Sequence, residues 1–83
     1  MKKHLSDTIS MMTSDSYVER FRAEYHQLKI RENKLSTMLD DWKHGKLNFQ
    51  PKCSFELLEA QLNTMKVYAN LLEARAAIEG VSL

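Results

Sequence analysis

The stretch SFELLEAQLNTMKVYANLLEARAAIEG, from Ser54 to Gly80, decides the fold. Within it Phe55, Leu58, Leu62, Met65, Ala69, Leu72 and Ala76 recur at spacings of three and four. That is the apolar stripe of a helix packed on another helix. Ser54 is suited to cap its start. Glu56 falls in the first turn, where the helix dipole favours negative charge. Gly80 is the predicted stop.

A partner helix lies upstream. Ser16-Tyr17-Val18-Glu19 matches a capping box, and no Gly or Pro follows until Gly45. Phe21, Leu28, Leu35 and Trp42 repeat every seven residues. Tyr17 or Val18, Tyr25, Met38 and Leu39 fill the neighbouring seam positions, with one polar gap at Arg31 and Glu32. His44-Gly45-Lys46 ends this helix, and Pro51 blocks continuation through the connection, residues 46–53. Each helix spans roughly 40 Å at a rise of about 1.5 Å per residue. Similar lengths and a short loop predict an all-α protein built on an antiparallel helical hairpin. Residues 16–83 form that hairpin domain. Residues 1–15 are a leader in which Leu5, Ile9 and Met12 suit either a short helix or a tail.

Composition agrees. The 83 residues include only two Gly and one Pro, too few for a turn-rich barrel or sandwich. Net charge is +1, which argues against non-specific DNA binding, where affinity rests on neutralising phosphates. Cys53 is the single cysteine, so no internal disulfide forms, as suits a reducing cytoplasm. No apolar run approaches the roughly 18–20 residues of a membrane span, and the leader is too polar for a signal sequence.

The second helix carries more apolar surface than one partner needs. Leu57, Leu71 and Ile78 lie on a separate line, with Thr64 in the gap. Ala23 and Ile30 also fall outside the main seam of the first helix. Self-association into a helical-bundle homo-oligomer, with Leu57, Leu71 and Ile78 at the interface, is the predicted resolution. The alternative is a leader folded over that stripe.

No catalytic signature is present: no Gly-rich phosphate loop, no paired cysteines and no His-Glu-x-x-His. His4, His26 and His44 lack metal-ligand spacing, and Asp40-Asp41 reads as a solvated acidic pair. Neither enzyme activity, nor a metal, nor a cofactor is expected. One set mixes cations with aromatics. Tyr17, Arg20, Arg22 and Tyr25, with Lys29 and Arg31, occupy the first half of the first helix. Lys66, Tyr68 and Arg75 occupy the second half of the second. An antiparallel hairpin sets these segments side by side, where arginine forks suit phosphate and tyrosine rings suit bases. The competing reading is structural: Glu19, Glu24, Glu73 and Glu79 are interleaved, and Tyr25 belongs to the core.

The order YxER, then EYxxL, then LLExQLxxMxxYxxLLExR runs from Tyr17 to Arg75. It resembles a family of small bacteriophage proteins related to a crAss-like phage protein. That resemblance implies a phage origin and expression in the host bacterial cytoplasm, not an activity. In size and shape the hairpin is also similar to phage sponge proteins, which sequester cyclic nucleotide signals of CBASS and Thoeris immunity as oligomers. The function implied is a non-catalytic counter-defence protein that binds such a signal through Tyr17, Arg20, Arg22, Tyr25, Lys66, Tyr68 and Arg75. A protein-binding inhibitor of a host defence enzyme and a structural or regulatory coiled-coil protein are the alternatives.

Overall fold

The computed structural model describes residues 4–83. Every regular element among them is helical. A 3-10 turn, Leu5–Thr8, runs into a single α-helical turn, α1 (Ile9–Met12). Two long helices follow, α2 (Tyr17–Lys43) and α3 (Phe55–Glu79). They form the predicted antiparallel hairpin, in a body of 43 × 24 × 18 Å.

Local chemistry sets the ends. Ser16 Oγ accepts from the Glu19 backbone N–H at 3.4 Å, and Ser54 Oγ accepts from Leu57 N–H at 3.1 Å. The reciprocal half of the predicted capping box is replaced. The Ser16 N–H donates to Ser14 Oγ at 3.1 Å, so the leader takes the bond that Glu19 was expected to make. Gly45 adopts φ 68°. The Lys46 N–H reaches Asp41 O at 2.8 Å and the Gly45 N–H reaches Trp42 O at 3.2 Å, the paired bonds of a Schellman motif. Gly80, at φ 73°, ends α3 the same way, with Val81 N–H on Ala76 O at 2.9 Å.

The core is the expected double seam. Phe21, Tyr25 and Leu28 of α2 pack with Ala69, Leu72 and Ala76 of α3, flanked by Met65 and Val81. Near the loop the Trp42 and Phe55 rings meet edge to face at 5.4 Å. The polar gap is filled by Glu32, which is buried, while Arg31 points to solvent. Glu32 Oε2 pairs with Lys29 Nζ at 2.9 Å. A buried charge needs such a partner, because removing it from water costs several kcal/mol.

The leader is helical, and it packs on α2. Thr8 is fully buried, and its hydroxyl accepts from Gln27 Nε2 at 3.0 Å. Ala23 and Ile30 are buried, though they lie outside the hairpin seam. The expected Leu5, Ile9 and Met12 stripe is corrected: Ile9 and Met12 are exposed, and Thr8 faces inward instead. A 3-10 turn has about three residues per turn, so Leu5 and Thr8 share a face. The leader does not cover Leu57, Leu71 and Ile78, which remain exposed.

Candidate functional site

The open end of the hairpin is where α2 begins and α3 finishes. Three tyrosine hydroxyls bridge the helices, each to a carboxylate on the opposite arm. Tyr17 Oη donates to Glu79 Oε1 at 2.7 Å. Tyr25 Oη donates to Glu73 Oε2 at 2.5 Å. Tyr68 Oη donates to Glu24 Oε2. Three of the four interleaved glutamates, Glu24, Glu73 and Glu79, are therefore the phenols' partners across the seam.

Arg75 completes a cluster with Tyr17. Its Nη2 donates to Tyr17 Oη at 3.1 Å, its Nε lies 3.4 Å from Glu79 Oε2, and its guanidinium sits 4.9 Å over the Phe21 ring. The bond to Glu79 raises the Tyr17 pKa, because losing the phenol proton would set two anions together. The bond to Tyr17 raises that of Arg75. Burial, followed by the bond to Glu73, pushes the Tyr25 hydroxyl up to about 12.

Arg20 and Arg22 are held differently. Arg20 Nη1 donates to Ser14 O at 2.8 Å, tying the leader to α2. Arg22 Nε donates to Ser82 O at 2.6 Å, tying the chain's end to α2. Both forks rest on backbone carbonyls. The ion pairs among the described residues join Lys29 to Glu32, His44 to Asp40 and Arg75 to Glu79. Neither Arg20 nor Arg22 is in one. A guanidinium has five N–H donors, so each keeps donors for an anion.

The structure thus brings Tyr17 and Arg75 into contact at the open end, with Arg20 and Arg22 at the same end on opposite flanks of α2. Tyr25 sits in the core just behind them, with its ring buried. Tyr68 is on the rim, bound to Glu24. Lys66 is displaced toward the loop. It lines a groove of about 200 Å³ with Asp40, Lys43 and Glu59. A second groove, about 340 Å³, opens beside the leader between Leu5, Arg31, Lys34 and Met65. The sequence reading missed this groove because it depends on where the leader lands. No cluster of His, Cys, Asp and Glu able to hold a metal occurs among the described residues. No helix among them is long and apolar enough to cross a membrane.

These features define a small helical-hairpin protein with cross-helix tyrosine–carboxylate bonds and an arginine-rich open end. The chain belongs to the Sequestin family, whose model matches residues 15–78. The match begins just before the Ser16 cap and covers both long helices, leaving the leader helix outside. No curated protein and no solved structure matches the chain.

Proposed function

We propose that this protein is a non-catalytic phage counter-defence protein that sequesters an anionic cyclic nucleotide signal of bacterial immunity. It would act in the host cytoplasm as a homo-oligomer. The observation that carries this reading is the arginine arrangement at the open end. Arg20 and Arg22 are anchored through backbone carbonyls, so their charge is oriented without being neutralised by a contacting carboxylate. Orientation without neutralisation is what a phosphate-binding fork requires. Tyr17, half-exposed beside Arg75, offers a ring for a base. The family's name, which points to sequestration of a ligand or partner, supports the same reading. Tyr25 and Tyr68, committed to Glu73 and Glu24, would shape the site more than touch the ligand. Lys66 would serve only a ligand that reaches toward the loop.

A thermal-shift screen with cyclic di- and trinucleotides and cyclic ADP-ribose isomers tests the proposal. A ligand that binds only the folded state raises the midpoint. The shift should disappear in Arg20→Ala. No shift with any of these compounds favours the second reading, a protein-binding inhibitor, for which the exposed Leu57, Leu71 and Ile78 are the natural surface.

A further inference from the structure

α3 carries a second complete seam. Counting from Leu57, the coiled-coil core positions are Leu57, Ala60, Thr64, Val67, Leu71, Ala74 and Ile78. All of them are exposed. The large ones are 60% (Leu57), 57% (Val67), 59% (Leu71) and 87% (Ile78) accessible. No charged residue interrupts the seam. It faces about 160° away from the stripe that packs on α2, counting about 100° per residue. Three heptads of such a pattern specify a coiled coil.

The sequence of sizes fixes the orientation. Positions alternate larger and smaller: Leu57 then Ala60, Leu71 then Ala74. In a parallel pair each residue meets its own copy, so the Ala60 and Ala74 layers face alanine with alanine and are left underfilled. In an antiparallel pair each position meets the other kind, and large fills small. We propose that a second copy of this chain packs on this seam through an antiparallel α3–α3 contact, with the two-fold axis passing between Met65 and Lys66. Leu57 then meets the partner's Ala74, Ala60 meets the partner's Leu71, and Thr64 meets the partner's Val67.

Charge agrees with this register. Beside the seam Asn63 approaches the partner's Asn70, and Gln61 approaches the partner's Tyr68, so like charges are never opposed. Sliding the partner by one heptad leaves either Leu57, or Leu71 and Ile78, without a facing helical residue. In the proposed register only Ile78 reaches past the facing helix, level with the partner's Cys53. This contact names the partner surface of the homo-oligomer in the functional proposal, and rests on that reading only for its purpose.

Cysteine cross-linking tests it in the full chain. Leu57→Cys and Ala74→Cys are made separately in a Cys53→Ser background and checked for helicity by circular dichroism. After mild oxidation with oxidised glutathione, the mixture should give a disulfide-linked dimer on a non-reducing gel. Each variant alone should not. Self-linking of Leu57→Cys would overturn the proposal in favour of a parallel pair. No cross-link despite a mass above 9.7 kDa in light scattering would place the interface elsewhere. A monomer would overturn it outright, and a host protein recovered on this seam would reassign it. Thermal shifts on the same variants separate the two proposals. A ligand effect that persists without the cross-link leaves sequestration standing, and a cross-link without ligand effect leaves only the dimer.

Discussion

The Tyr25 hydroxyl on α2 donates to Glu73 Oε2 on α3 at 2.5 Å, across 48 residues of sequence. It is the innermost of the tyrosine–carboxylate bonds that bridge the arms, and its ring belongs to the apolar core. One side chain therefore serves both packing and register.

Tyr25→Phe keeps the ring and removes the hydroxyl. Glu73 is exposed and can turn to water, so the expected loss is about 1 kcal/mol, the size of an ordinary net hydrogen bond. The pH dependence is more telling. The folded protein holds the Tyr25 pKa up to about 12, against 10.0 ordinarily, through burial first and Glu73 second. A raised pKa means that the folded state keeps a proton the unfolded chain releases. The associated stability is present below pH 10 and is lost between pH 10 and 12. Thermal midpoints measured across that range should fall more steeply for the native protein than for Tyr25→Phe.

Leu71 and Leu72 are adjacent in sequence and opposite in role. Leu72 is 1% exposed, and Leu72→Ala should cost about 2–5 kcal/mol in urea unfolding, as a cavity opens in the hairpin core. Leu71→Glu should leave the helical circular dichroism spectrum in place. In sedimentation it should abolish the proposed α3–α3 self-association, because a carboxylate in that seam has no partner.

Much of this hairpin was legible in the sequence. Ser16, Ser54, Gly45 and Gly80 mark the ends by local backbone chemistry, which needs no tertiary information. The seven-residue stripes likewise determine which faces meet. The cross-helix tyrosine bonds were not legible, because the register between arms is set by the loop and the core together. Glu24 and Glu73 resemble any surface glutamates until Tyr68 and Tyr25 arrive opposite them. The leader was half legible. A 3-10 start shifted its inward face from Ile9 to Thr8, and α-helical periodicity cannot reveal that. Of the candidate site, the shared end of Tyr17, Arg20, Arg22 and Arg75 followed from hairpin topology, while the contact between Tyr17 and Arg75 did not. Lys66, expected with this set, lines the groove nearer the loop, because it sits at the middle of α3 rather than at its end.

Gly45→Ala offers a check on the loop. A residue with a Cβ at φ 68° carries a cost of about 1–2 kcal/mol. The space beside it is open, so the loss should come from backbone strain alone. Differential scanning calorimetry should show a lower midpoint with the fold retained.

The central claim is that the open-end arginines hold an anionic nucleotide, and isothermal titration calorimetry of the native protein beside Arg20→Ala, Arg22→Ala, Lys43→Ala and Lys46→Ala tests it most directly. Arg75→Ala is a poorer probe, since Arg75 also holds Tyr17 and covers Phe21. With a cyclic nucleotide from the screen, the expected result is binding by the native protein and a loss of about 1.5–3 kcal/mol on removing either Arg20 or Arg22. The loop-end variants Lys43→Ala and Lys46→Ala should bind as the native protein does. Absence of heat with every cyclic nucleotide, or loss of binding in the loop-end variants equal to that in Arg20→Ala, would contradict the claim.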